Sequence, residues 1–408
     1  MGLHNLYSRV GRITDMIPLR WLPIVATTLV TLTIAKAAPD ATSFGGNQTE
    51  LLGEQLTRSS VSNVQFNAGA FTLTERAPSV REPGLAKGQA FRTGWFETPP
   101  MTVAGFDRAV LTWTANTPKG TWLKLEVRAR IEGRWTARFP LALWSSDPNF
   151  WSRSYPTNAN ADGRVNVDTL ELKRFADALQ VRVWLASSLP ASTATAWSPS
   201  VRGLNALTFD SSMRGVATGN ALRSPTWGKE LPVPLRSQMV YPNSGPLKGG
   251  EVWCSPTSLT MVLEYWGNKL GQRLADPVPL ATRRVWDTAY AGGGNWSFNM
   301  AYVASKGLKA NVIRLGGLAQ AEEWIESGVP LVLSIGWRKG ELEGAPIASS
   351  QGHILVLRGF TKDGDPIMNE PAQPSDARVR TVYRRAQLER LWLEHSGGIA
   401  YLILPGVQ

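Results

Sequence analysis

The 408-residue sequence predicts an all-β sandwich or jelly roll over residues 61–210, followed by a region over 231–408 in which helices and strands mix. Three observations carry this reading. Through the first region apolar and polar residues alternate, most cleanly where Leu123, Leu125, Val127, Ala129 and Ile131 are interleaved with Lys124, Glu126, Arg128 and Arg130, the mark of a half-buried strand. Clusters of Gly, Pro, Asn and Asp interrupt these runs at short intervals, as in antiparallel β folds. In the second region Leu259, Val262, Leu263 and Trp266 recur instead at i, i+3, i+4 and i+7, one apolar face at helical period.

In chain order, Arg9, Arg12 and Arg20 precede an uncharged run, 21–35, and Ala35-Lys36-Ala37 follows with the small-x-small pattern of a cleavage site. The run is about 15 residues, short of the roughly 20 that span a bilayer. Residues 1–37 therefore read as a signal peptide cleaved after Ala37, giving a secreted or cell-surface protein, with a retained N-terminal membrane anchor as the alternative. The Gly, Thr, Ser, Asn and Gln content of 38–60 reads as a linker. Strands are expected at 111–115, 123–131, 135–139 and 165–172, and again where Leu179, Val181, Val183 and Leu185 alternate. Trp95, Trp113, Trp122, Trp135, Trp144 and Trp151 could form a sugar-stacking face or belong to the core and sheet surface. Residues 211–230 form a second linker.

The second region opens with Val233-Pro234 and Gln238, then a loop that becomes a helix at Trp253-Cys254-Ser255-Pro256. Pro256 suits the first turn, where its missing N–H is no loss, and Gly267 is the expected stop. Gly292-Gly293-Gly294-Asn295-Trp296 is a glycine-rich turn, but no Gly-Lys-Ser/Thr closes it into a phosphate loop. Helices are expected at 297–306, 318–327 and 388–395, and strands at 329–335, 352–360, 366–371 and 399–404. Asp363-Gly364 supplies the hairpin turn between the second and third of these strands. No internal repeat is evident.

Composition narrows the function classes. Lys and Arg exceed Asp and Glu by 11 charges and the isoelectric point is near 9.9, which suits anionic surroundings such as an acidic wall polymer. The basic residues are scattered and no nucleic-acid motif accompanies them, so nucleic acid is not an expected partner. One cysteine excludes an intramolecular disulfide. Paired metal ligands are absent, and Asp363 and Asp365 lack the rest of a calcium loop. No Gly-x-Ser-x-Gly elbow signals a serine hydrolase. No metal or cofactor is expected.

Cys254 sits where the helix dipole and free N–H groups favour thiolate, although a lone cysteine is also a common small buried apolar residue. His353 starts a strand about 100 residues on, and could serve as the base that a thiol nucleophile needs. A residue near Asn369 or Glu370 can face it across the hairpin. Gln238 offers a side-chain amide for an oxyanion hole.

The order Val233-Pro234 and Gln238, Trp253-Cys254-Ser255-Pro256-Thr257-Ser258, Gly294-Asn295-Trp296, Gly352-His353-Ile354-Leu355-Val356 and Asn369-Glu370-Pro371-Ala372 resembles the papain-like cysteine peptidases, specifically the bacteriocin-leader-peptidase-like group of exported bacterial proteins. The resemblance covers about 231–408, and the strand-rich region resembles the sandwich domain that accompanies such peptidases. It implies an α+β papain-like fold, with Cys254 as nucleophile, His353 as base and Gln238 as oxyanion donor. The family commonly places Asp where Glu370 stands here, one methylene longer, with Asn369 as the alternative orienting residue. The usual Gly after the cysteine is Ser255. The expected activity is hydrolysis of peptide bonds by a monomer, on a peptide or protein substrate. A glycan- or wall-polymer-binding surface protein with an inactive peptidase-like domain, and a wall-peptide amidase, are the alternatives.

Overall fold

The alternating run 123–131 lies within the strand Thr121–Ile131, and its five inward side chains, Leu123 to Ile131, are buried. In this computed structural model, which describes residues 44–81, 88–156, 158–189, 197–217, 224–243 and 245–406, that strand pairs antiparallel with Thr169–Ser187, Val127 opposite Val181. The 19-residue strand Thr169–Ser187 organises the β region. It also pairs with Phe91–Glu97, Met101–Asn116 and Gly163–Asn166, within a connected set of 14 strands. The expected signal segment and its cleavage after Ala37 lie outside the described residues. No helix among the described residues is long and apolar enough to cross a membrane.

Several expectations are corrected here. Part of 38–60 is not linker: Gly46–Leu52 pairs residue for residue with the strand that ends at Phe209, from Gly46 opposite Phe209 to Leu52 opposite Gly203. Its polar side chains suggested a loop, but every peptide carries a donor and an acceptor whatever the side chain. The run 135–139 divides between Arg134–Trp135 and Phe139–Trp144. The run 165–172 is not one strand but a hairpin, with Asn166 opposite Thr169 and Val167-Asp168 as the two-residue turn. Of the six tryptophans, Trp113, Trp122 and Trp144 are buried. Trp95 and Trp135 lie under the guanidinium groups of Arg182 and Arg128, at 4.2 and 4.9 Å from the ring centroids. Trp151 is exposed.

The second region is built on a six-stranded antiparallel sheet in the order Lys309–Arg314, Ile399–Leu404, Leu331–Trp337, Ser350–Phe360, Pro366–Asn369 and Arg380–Val382. The helix Cys254–Leu270 packs on the strand Ser350–Phe360. It runs through Gly267 and stops at Gly271, which takes the left-handed φ of 64° that ends helices. Gly267 has a different use: the carbonyl of Gln272 passes 2.6 Å from where a Cβ would stand. The helix Val278–Val285 and the strands Lys309–Arg314 and Arg380–Val382 were not expected from the sequence.

The two regions share their cores. Phe298 and Ala301, on the helix Trp296–Ala304, pack among the β-region side chains, with Phe298 edge-on to Trp113 at 6.3 Å. Val110, Leu207 and Phe209 of the β region pack in turn against the second core. Apolar burial of this kind contributes roughly 25 cal/mol per Å², so the β region is held to the helix by packing as well as by chain connection.

Candidate active site

Cys254 is the first residue of its helix, directly after the tight turn Gly250–Val252, and is half-buried. Two contacts fix the helix about its own axis. Ser258 Oγ, one turn on and on the same face, donates to the carbonyl of Ile354 at 3.1 Å. That carbonyl belongs to the residue after His353, so Cys254 is brought level with the histidine. Ser255 Oγ donates to Asn299 Oδ1 at 2.9 Å, and Asn299 Nδ2 donates to the Gly293 carbonyl at 2.8 Å. The glycine-rich turn and the cysteine helix are thereby tied together.

His353 is 2% exposed, with the edge of Trp337 against it at a centroid distance of 5.4 Å. Its Nε2 donates to Glu370 Oε1 at 2.6 Å, which leaves Nδ1 for the thiol. Burial alone would lower the imidazole pKa. The Glu370 charge, followed by hydrogen bonds with Cys254 and Glu370, outweighs burial and raises it to about 10. Burial likewise pushes Glu370 up. The imidazolium and the hydrogen bonds from His353, the Ala372 N–H and the Tyr383 hydroxyl more than offset this, holding the carboxyl below its ordinary value. The last two bonds are 2.9 and 3.0 Å. The stable form of the site is therefore the charged one, imidazolium against carboxylate.

Sheet register explains which of the two adjacent polar residues meets the histidine. Val356 stands opposite Asn369. Continuing by one residue sets Glu370 opposite Leu355, on the face that His353 shares, and a diagonal neighbour of this kind is roughly 7–8 Å away at Cα. The glutamate side chain spans that offset. Asn369 points to the other face, where its Oδ1 accepts from Arg358 Nη1 at 2.9 Å and its Nδ2 donates to the Pro234 carbonyl at 2.9 Å.

Gln238 lies behind the turn that precedes the cysteine. Its backbone N–H donates to the Pro371 carbonyl at 2.8 Å, and its side chain is buried with Oε1 lacking a hydrogen-bond partner. It is absent from the lining of the cleft that contains Cys254 and His353. Gly250 is what lets Gln238 approach: a Cβ there would stand 1.7 Å from the Gln238 carbonyl oxygen. Gly250→Ala is expected to cost about 1–3 kcal/mol, as overpacking does, and to shift Gln238. Thermal unfolding with kinetics on the same preparation measures both effects, and an unchanged midpoint would mean that the turn yields freely.

Cys254 and His353 open into a cleft of about 630 Å³. The rest of its lining comes from Lys248, Glu251, Val252, Tyr290–Gly294, Trp296, Ser334, Ile347, Ser349–Gly352, Ile354 and His395 and, from the β region, residues 166–169. A second recess of about 570 Å³ along Glu264–Pro277 contains none of these residues. Tyr383, Trp337 and the 166–169 turn were missed in the sequence. The first two carry no motif, and the third lies inside what reads as a continuous strand.

The profile of the Peptidase_C39 like family matches residues 230–399, and that of the Peptidase C39 N-terminal domain matches residues 48–208. Residues 230–399 are a C39-like peptidase domain. No curated protein matches the chain. Among solved structures, a protein from Bacillus anthracis described as a C39-like peptidase is 15% identical, with a TM-score of 0.28 over 44% of this chain and 99% of that one. In the C39-like domain, then, the cysteine and histidine open into one cleft with the glutamate buried behind the histidine, and residues 166–169 of the companion N-terminal domain add to the cleft's wall.

Proposed function

We propose that the chain is an exported cysteine peptidase, acting as a monomer on peptide or protein substrates. The observation that carries this reading is the buried His353, held by Glu370 on one nitrogen and paired with the Cys254 thiol, at the floor of an open cleft. With His353 already carrying the proton as imidazolium, Cys254 Sγ attacks the scissile carbonyl carbon as the thiolate. The backbone N–H of Cys254 holds the oxyanion, and the side-chain amide of Gln238, buried behind the turn before Cys254, is the second donor that the family resemblance implies. His353 then gives the proton to the leaving amine, the C–N bond breaks, and water hydrolyses the thioester to release the acid and restore the thiol. Glu370 orients the ring and stabilises its charged form. Export rests on the sequence of residues 1–37 alone.

The test is alkylation of Cys254 by iodoacetamide at pH 6 in the full chain. The expected result is a rate at least about 10-fold above that of His353→Ala, since an adjacent imidazolium favours the thiolate that reacts. Equal rates in the two proteins would refute the nucleophile–base pair.

A further inference from the structure

Among the described residues the β region has three two-residue hairpin turns, and one of them is unlike the others. Ala68-Gly69, between Asn67 and Ala70, and Glu132-Gly133, between Ile131 and Arg134, both have positive φ at each central residue and a glycine at the second. This is the usual solution for a tight hairpin. Val167-Asp168, between Asn166 and Thr169, has φ of 56° at Val167 and no glycine. A β-branched residue is among the least suited to that conformation. Glycine would take it without strain, but it would have no side chain.

This turn also touches the cleft. Val167 and Asp168 line the same cavity as Cys254 and His353. Asp168 is buried, and its Oδ2 accepts the backbone N–H of Trp296, which fixes the turn against the first residue of the helix Trp296–Ala304. Asp287, fully buried, braces the same joint: its Oδ1 accepts from the Ser154 N–H of the β region at 3.0 Å, and its Oδ2 accepts from Asn295 Nδ2 at 2.9 Å. The ring of Tyr290 lies over Gly292, within 2.8 Å of where a Cβ would be. Val167, Tyr290 and Trp296 thus add apolar surface to the lining of the cleft that holds the thiol, which also includes Val252, Ile347 and Ile354.

We propose that the Val167-Asp168 turn of the N-terminal region is a working part of the peptidase cleft, with Val167 as a specificity-determining residue that receives an apolar side chain of the peptide substrate. The proposal rests on the cysteine-peptidase reading. Val167 supplies the contact, and Asp168 is a positioning residue that holds the turn on the Trp296 helix. The N-terminal region then acts at the site of reaction rather than as a separate anchor.

The experiment compares second-order labelling of Cys254 in the full chain by peptidyl chloromethyl ketones that differ in one side chain, leucine against serine, with iodoacetamide as a probe that needs no cleft contact. The wild type is expected to prefer leucine. Val167→Gly is expected to lose roughly 10-fold of that preference, the scale of a small apolar contact, while its iodoacetamide rate and thermal midpoint do not fall. Val167→Ile is expected to keep the preference. The same leucine preference in Val167→Gly, with normal iodoacetamide labelling, would overturn the proposal and leave the peptidase reading standing, as would a lower midpoint with preference intact. If iodoacetamide labels Cys254 in wild type no faster than in His353→Ala, the peptidase reading fails and takes this proposal with it.

Discussion

Cys254→Ala is expected to lower kcat/KM for peptide hydrolysis by at least about 10⁴-fold, the order of loss when a covalent nucleophile is removed, while the thermal midpoint stays close to that of wild type. The second half of this expectation follows from packing. Cys254 is half-buried at the start of its helix and only partly packed against the core, so removing one sulfur leaves no closed cavity of consequence. The contacts that hold the helix, Ser258 to the Ile354 carbonyl and Ser255 to Asn299, do not involve the thiol. His353 would lose one of the groups that favour its charged form but keep Glu370, so the site stays built around an imidazolium with no nucleophile beside it. Peptide turnover and thermal unfolding on the same preparation separate chemistry from folding. Hydrolysis at the wild-type rate would remove Cys254 from the mechanism.

How much of this could be read in advance depended on how local each signal was. Cys254 was legible because proline in a first turn and a following apolar stripe mark a helix start within a dozen residues. His353 and the Asn369-Glu370 pair were legible as a hairpin, since Asp363-Gly364 is a strong turn signal between apolar runs. Choosing Glu370 over Asn369 required register, and a single-residue slip exchanges the two faces of a strand. Tyr383 could not be found that way: its hydroxyl reaches Glu370 Oε2 across 13 positions of chain with no motif around it. Val167-Asp168 was hidden for the opposite reason. Apolar residues at 165, 167, 170 and 172 imitate strand, and the turn omits the glycine that would have exposed it. Gly46–Leu52 was misread because linker composition describes side chains, whereas its place at the sheet edge is set by backbone pairing with residues 203–209.

Glu370→Gln should be the second most damaging of the site substitutions, and its signature is in the pH profile. The amide is nearly isosteric, and its carbonyl can still accept from His353 Nε2 and the Ala372 N–H. The new NH₂ would face the Tyr383 hydroxyl, which can turn its proton away and accept. The charge is what disappears. Glu370 supplies the largest influence raising the His353 pKa against burial, so without it the imidazole pKa must fall from about 10. The alkaline limb of kcat/KM then moves to lower pH, and the rate at its optimum drops by about 10²-fold, within the range for impaired acid–base catalysis. Stability responds on the same logic. In wild type the histidine, with its pKa raised on folding, contributes stability that is complete below its unfolded value of about 6.5 and is lost as pH rises toward 10. The carboxylate, with its pKa lowered, contributes stability that is complete above about 4.5 and is lost as pH falls through its folded value. The pair therefore contributes most between about pH 4.5 and 6.5, and Glu370→Gln flattens the stability curve on both sides of that window. Thermal midpoints and kcat/KM measured across pH 4 to 10 for the two proteins test both limbs together. An alkaline limb that does not move would show that Glu370 leaves the histidine charge untouched, and its role would reduce to holding the ring in place.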